Sequence, residues 1–167
     1  MKSSELKWGL IIGTANLVWL YGSYYLGLHT RGLLLVQAMV AVNLLVTLTG
    51  FILALRDIAS DEPGITFLEG LKSGVVIAVV TAVIAAVAQV GYLKLVNPGW
   101  TEFMVEETRR HYEASDVPPE QVEAFARQAE TTFGLQTYVV QAAVGAFLVG
   151  VVFTAVVMAA RRLRSRL

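Results

Sequence analysis

The amino-acid sequence predicts an all-α polytopic membrane protein with four transmembrane helices. Of its 167 residues, 56% are hydrophobic and 16% are charged, whereas about 25% of the residues of a soluble domain are charged. The charged residues cluster in connecting segments and leave uncharged runs at 8–28, 33–55, 74–93 and 134–160. Each run reaches the roughly 20 residues needed to cross a bilayer. We therefore expect a single membrane domain, residues 1–167, with spans at about 8–28, 33–55, 72–96 and 135–160.

The first run is interpreted as a retained span. Lys2 and Lys7 resemble the basic start of a signal peptide, but the apolar run is too long and residues 24–28 lack a small-x-small cleavage site. Aromatic residues recur at three-to-four spacing along one side of this helix. They predict packing against a neighbouring helix, with a tyrosine-lined pocket as the alternative: Tyr21, Tyr24 and Tyr25.

The first two connections are short. Only about four residues, 29–32, separate spans 1 and 2, which predicts an antiparallel pair. Pro63-Gly64 is a turn signal between spans 2 and 3. Thr66 and Glu69 then match a capping box, in which a hydroxyl and a carboxylate satisfy backbone amides reciprocally. The third long helix is therefore expected to begin at Thr66, before the membrane.

The third connection, residues 98–133, is expected to form a short extracytoplasmic helical hairpin. Asn97-Pro98-Gly99 stops the preceding helix, because proline lacks the backbone donor. Apolar residues then recur among charged ones, as in an amphipathic helix, until Pro118-Pro119 begins a second helix. That second helix carries one apolar stripe, formed by Val122, Phe125, Ala126, Ala129 and Phe133.

The distribution of charge predicts the orientation. With four spans, the side that holds both termini carries eight basic and five acidic residues, and the other side carries five basic and eight acidic residues. Basic residues that flank spans stay in the cytoplasm. We therefore expect both termini in the cytoplasm of a bacterial inner membrane, with the arginine-rich segment 161–166 as the strongest anchor.

Small residues at every fourth position predict how spans 3 and 4 pack. Such rows let helix backbones approach closely where no hydrophobic effect drives association. The positions assigned to this packing are Gly70, Gly74, Ala78, Ala82, Ala146 and Gly150.

Polar side chains within the spans are uncharged, which weighs against a proton pump, a voltage sensor or an ion-coupled carrier. Their simplest role is hydrogen bonding between helices. In the alternative, four of them ring a small polar cavity and face a ligand: Gln37, Asn43, Gln89 and Gln141.

Catalytic and cofactor motifs are absent from the sequence. The chain has no cysteine and zero formal net charge, which removes thiolate sites and any general attraction for nucleic acid. Glu107 and His111 share a helix face, but even with His29 they supply too few metal ligands. We therefore expect no enzyme activity, no cofactor and no metal.

Three functions remain as hypotheses. The first is a non-catalytic accessory or structural subunit that meets the lipid bilayer and a membrane-protein partner or a second copy of itself. The second is a binder or carrier of a small neutral or lipid-like ligand. The third is an enzyme acting on a membrane lipid, for which the candidate residues are Glu106, Glu107 and His111.

The chain also resembles a family of small bacterial four-span membrane proteins catalogued as domain of unknown function number 4199. The matching residues occur at the entry to span 1, at the opening of span 3 and at its exit. They are Lys7, Trp8, Gly9, Ile65, Thr66, Phe67, Glu69, Gly70, Lys72, Gly74, Tyr92, Asn97, Pro98 and Gly99. The family has no assigned activity, so the resemblance implies the four-span topology and no site.

Overall fold

A computed structural model describes residues 3–29, 31–62 and 64–164 of the protein. In these residues the chain forms six α-helices and no β-strand, which confirms the all-α prediction. A π-helical turn, Tyr92–Val96, continues the third helix. The helices are α1 (Ser3–Tyr25), α2 (Leu33–Asp61), α3 (Phe67–Gly91), α4 (Trp100–Glu113), α5 (Pro119–Phe133) and α6 (Leu135–Arg164).

The capping box predicted before α3 is confirmed. The Thr66 hydroxyl accepts a hydrogen bond from the Glu69 backbone N–H, and the Glu69 carboxylate accepts one from the Thr66 backbone N–H at 2.8 Å. Pro63, half of the predicted turn, lies outside the described residues, as do residues 165 and 166 of the arginine-rich segment. Gly64 has a φ of 96°, a left-handed conformation that favours glycine.

The four long helices run antiparallel, so the bundle has two distinct ends. The terminal end holds the start of α1, the end of α2, the start of α3 and the end of α6. Three hydrogen bonds join these elements there: Trp8 Nε1 to Asp57 (2.7 Å), the Ser73 hydroxyl to Glu5 (2.8 Å) and the Arg161 guanidinium to the Leu55 carbonyl (3.2 Å). The opposite end, with the α1–α2 loop, the π-helical turn, α4 and α5, is called the capped end.

Helices α3 and α6 form the most extensive helix pair. Gly70 and Gly74 of α3 lie directly against Met158 and Thr154 of α6. On α6, a Cβ added to Gly150 would lie 2.6 Å from Phe51 Cζ and 2.8 Å from Ala78 Cβ. The two backbones therefore approach so closely that only glycine fits, and Phe51 of α2 seals the same contact.

Two apolar cores hold the bundle, one near each end. The terminal-end core consists of Ile12, Phe51, Ala54, Ile58, Ile77 and Ala78. The capped-end core consists of Tyr92, Leu93, Trp100 and Met104, with partly buried aromatic residues around them. Close packing stabilises each cluster through dispersion contacts between these side chains.

Helices α4 and α5 pack side by side at the capped end. The rings of Tyr112 and Phe125 stack with their centroids 4.2 Å apart, and Val122, Ala126 and Ala129 of the predicted apolar stripe are buried. Arg109 of α4 forms an ion pair with Glu123 of α5 at 3.1 Å. Hydrogen bonds from Arg109 hold the pKa of Glu123 below its usual range.

Three helical segments are long and apolar enough to cross a membrane: Leu34–Asp61, Phe67–Val96 and Leu135–Arg162. Their apolar side chains extend to the outer surface, and a row on α6 at every fourth residue is about half exposed. The row consists of Val140, Val144, Leu148, Val152 and Val156. Helix α1 is less apolar, because it carries Asn16 and five tryptophan or tyrosine residues.

We predict that Gly150→Ala destabilises the bundle by about 1–3 kcal/mol, because the added methyl overlaps Phe51 and Ala78. Thermal unfolding in mild detergent measures the effect. The control is Gly145→Ala on the same helix, whose added Cβ meets no atom within 4 Å and should raise the Tm, because alanine favours helix over glycine. Equal Tm values for the two variants would contradict the close contact.

Candidate ligand-binding cavity

A cavity of about 370 Å³ lies between the two apolar cores. Side chains of α1, α2, α3 and α6 form its walls, and His29, Tyr92 and Trp100 form its limit at the capped end. Its volume falls within the range of about 300–1,000 Å³ that is usual for small-molecule sites. Among the described residues, the lining includes no aspartate, glutamate, lysine or arginine.

The cavity opens sideways between α2 and α6. Toward the terminal end these helices meet at Phe51 and Gly150. Farther along they diverge, since a Cβ added to the lining residue Gly145 would meet no atom within 4 Å. The exposed lining residues lie on these same two helices: Val40, Leu44 and Gln141. The opening therefore faces the apolar side of the bundle.

Three buried polar atoms that belong to lining residues have no hydrogen-bond partner in the described part of the chain: Asn16 Oδ1, Gln89 Nε2 and Trp100 Nε1. Asn16 uses its Nδ2 to donate to the Thr47 hydroxyl at 2.9 Å, so only its carbonyl oxygen is unsatisfied. The indole of Trp100 stacks on the ring of Tyr138 with the centroids 6.3 Å apart, and its Nε1 has no partner among the described residues. Leaving a buried polar atom unpaired costs about 1–3 kcal/mol, so these atoms require an explanation.

A second set of polar residues, at the capped end, is by contrast linked by a continuous series of hydrogen bonds. Asn97 Nδ2 donates to the Tyr92 hydroxyl at 2.8 Å, and that hydroxyl contacts His29 Nδ1. His29 Nε2 contacts the Ser23 hydroxyl at 2.8 Å, which donates to the Leu20 carbonyl at 2.9 Å. This Asn97–Leu20 chain joins α1, the α1–α2 loop and the π-helical turn.

Donor and acceptor roles along the Asn97–Leu20 chain assign the His29 tautomer. The Tyr92 oxygen accepts from Asn97, so its proton is directed to His29 Nδ1. Nε2 then carries the imidazole proton and donates to Ser23. The Ser23 proton is committed to the Leu20 carbonyl. Ser23 and His29 are thus arranged as structural partners and not as a nucleophile and its base.

Three of the four side chains predicted to face a ligand line the cavity: Asn43, Gln89 and Gln141. Gln37 does not line it and is exposed. The cavity-lining stripe of α2 runs through Val36, Met39, Val40, Asn43, Leu44 and Thr47, and a helix turns about 100° per residue. Gln37 lies off this stripe, since six residues separate it from Asn43.

The residues assigned to helix packing lie mainly along the α3–α6 contact. Gly70, Gly74 and Ala78 face α6 there, and Ala82 is buried. Gly150 closes the cavity toward the terminal end, and Ala146 lines the cavity. Helix α6 therefore contributes both to the close packing against α3 and to the wall of the cavity.

Sequence reasoning did not identify Asn16, Trp100 or the Asn97–Leu20 chain as parts of one site. Of the predicted tyrosine row, Tyr21 donates to the Ala88 carbonyl at 3.0 Å and Tyr24 contacts Tyr92, while Tyr25 is 77% exposed. The available signal was the group of polar and aromatic residues in α1, a helix otherwise expected to contact lipid.

Comparison with known proteins identifies one protein family. A family model described as "Protein of unknown function (DUF4199)" matches residues 7–162. No curated protein and no solved structure matches the chain.

We predict that stability falls as the pH drops below 6.5. Burial lowers the pKa of His29 from its usual value of 6.5, so below that pH the unfolded chain binds a proton that the folded chain does not. Unfolding scans in detergent should show the Tm falling by about 3 °C more between pH 8 and pH 5 than in His29→Gln. The control is His111→Gln on exposed α4, which should keep the full pH dependence. The same dependence in His29→Gln would contradict the assignment.

Proposed function

The chain belongs to the family described as "Protein of unknown function (DUF4199)", and we propose that it is a four-span membrane protein that binds a small neutral, lipid-like ligand in its cavity. The family description names no activity. The proposal therefore rests on the geometry of the cavity and on the bundle that surrounds it.

The length and contacts of α1 support a fourth span. Its 23 residues extend about 35 Å, about the thickness of a hydrocarbon core. Glu5 and Trp8 are tied to α3 and α2 at the terminal end, and Ser23 is tied to His29 at the capped end. Helix α1 therefore extends alongside two membrane-length helices. Its polar residues Asn16, Trp19 and Ser23 line the cavity, which explains its lower hydropathy.

Charge supports an orientation with both termini in the cytoplasm of a bacterial inner membrane. The terminal end carries the excess of basic residues, and α4 and α5 carry most of the acidic ones. In this orientation α4 and α5 form an extracytoplasmic helical hairpin over the capped end of the bundle.

The observation that carries the ligand-binding proposal is the pair of unsatisfied polar atoms, one on α1 and one on α3, that line a cavity without charged side chains among the described residues. Gln89 is 7% exposed, and its Nε2 has no partner among the described residues. Asn16 Oδ1 is likewise unpaired. A few placed polar groups in a mainly apolar concavity are typical of small-molecule sites. A neutral amphipathic ligand supplies what both atoms lack.

The other two hypotheses account for less of the structure. An accessory subunit uses the outer apolar faces to contact a membrane-protein partner or a second copy, and leaves the cavity without a role. An enzyme requires an activated group, whereas Ser23 and His29 are committed to the Asn97–Leu20 chain. We therefore propose ligand binding without catalysis, cofactor or metal.

The four-span orientation predicts opposite locations for two reporters. Alkaline phosphatase, which is active only outside the cytoplasm, should be inactive after Leu167 and active when inserted between α4 and α5 at Ser115. Green fluorescent protein, which folds in the cytoplasm, should give the reverse pattern. Phosphatase activity after Leu167, or its absence at Ser115, would contradict the orientation.

Filling the cavity should abolish ligand binding without unfolding the protein. The probe is dibrominated octadecanol in saturated phosphatidylcholine nanodiscs, because bromine quenches tryptophan at short range and Trp19 and Trp100 line the cavity. We expect saturable quenching in the native chain. Gly145→Phe places a ring in the open space beside Gly145 and should weaken binding at least tenfold, with the Tm unchanged.

The matched control is Gly145→Ala, which adds a single methyl and should bind the probe as the native chain does. Quenching that rises linearly with probe and is the same in all three proteins would show that only surface lipid is sensed, and would rule out the proposed function.

A further inference from the structure

The two unpaired amide atoms need opposite hydrogen-bond partners. Gln89 Nε2 is a donor and needs an acceptor oxygen, whereas Asn16 Oδ1 is an acceptor and needs a hydroxyl or an N–H. They project from α3 and α1 respectively, and both residues line the cavity. Away from bulk water each atom has a strong requirement for its complement. A ligand that satisfies both must carry an acceptor and a donor.

The remaining walls of the cavity restrict the charge of the ligand's head group. No carboxylate, ammonium or guanidinium lines the cavity among the described residues, and burial lowers the pKa of His29, which keeps the imidazole neutral. A phosphate or a quaternary amine would therefore enter without a counter-charge, at a large desolvation cost. The head group is neutral.

The opening between α2 and α6 indicates how the rest of the ligand lies. At about 370 Å³ the cavity is near the lower limit for small-molecule sites, so a lipid with a long chain does not fit entirely inside it. The exposed rim residues Val40 and Leu44 are apolar, and they face the side of the bundle that contacts lipid. An acyl chain leaves the cavity between these helices.

We propose, on the basis of the function proposed above, that the ligand is a single-chain neutral lipid of the monoacylglycerol class that enters from the bilayer between α2 and α6. Its ester carbonyl accepts from Gln89 Nε2, and a glycerol hydroxyl donates to Asn16 Oδ1. Its acyl chain passes Val40 and Leu44 into the surrounding lipid. The Asn97–Leu20 chain forms the closed wall above the head group.

Competition against dibrominated octadecanol tests the head group with four lipids of equal chain length. They are 1-oleoylglycerol, which has both donor and acceptor, methyl oleate, which has the acceptor alone, octadecene, which has neither, and oleoyl lysophosphatidylglycerol, which is charged. We expect 1-oleoylglycerol to bind about tenfold more tightly than methyl oleate, and octadecene and the charged lipid to bind more weakly than both.

Substitution of Gln89 by methionine then separates a ligand-binding role from a structural one. Gln89→Met keeps the length of the side chain and removes the unpaired donor, so we expect a higher Tm of the ligand-free protein together with about tenfold weaker binding of 1-oleoylglycerol and unchanged binding of octadecene. The control is Gln37→Met, at an exposed position of α2 that does not line the cavity, which should change the affinity less than twofold.

Each outcome has a distinct meaning. Equal competition by all four lipids would show that water satisfies the two amides, and would overturn the head-group assignment while leaving a binding cavity. A lower Tm in Gln89→Met would identify a structural glutamine and would also overturn it. If the native chain and Gly145→Phe show the same non-saturable quenching by the probe, the proposed function itself fails before any competition is measured.

Discussion

The close contact of α3 with α6 at Gly150 sets the geometry of the whole bundle. There the two backbones approach as far as Ala78 permits, and Phe51 of α2 closes over them. Since glycine alone fits, the three helices are held together at one level near the terminal end. From that level α2 and α6 diverge, and the space between them has to be filled or left open.

The aromatic residues of the capped end maintain that space. Trp100 stacks near Phe103 and Tyr138, and Tyr92 lies against Tyr24 and Trp100. These rings are too large to move into the gap without dismantling the second core. Tight packing at both ends therefore produces a cavity between them, and neither core can collapse to remove it.

Much of the architecture could be predicted from the sequence, because its causes are local. Uncharged runs give the membrane-length helices, and Thr66 with Glu69 determines where α3 begins. The site depends on contacts between residues that are distant in sequence, and local sequence patterns do not predict such contacts. The π-helical turn shifts the register of the residues after Tyr92, so the hydrogen bond from Asn97 to the Tyr92 hydroxyl could not be inferred from α-helical spacing. The contact of Tyr92 with His29, 63 residues away, is likewise beyond local patterns. Gln37 is the opposite case, since helical periodicity alone places it away from Asn43.

The Asn97–Leu20 chain shows that a polar cavity wall need not bind a polar ligand. Along this chain the hydroxyls of Tyr92 and Ser23 and the ring of His29 already donate to acceptors inside the protein. A molecule in the cavity meets three of these side chains, Ser23, His29 and Tyr92, and none of them offers a free donor without breaking a hydrogen bond to a neighbour. Selectivity for a ligand therefore depends on unused hydrogen-bonding capacity and not on polar composition. This polar wall is therefore less suited to bind a ligand than the unpaired amides of Asn16 and Gln89.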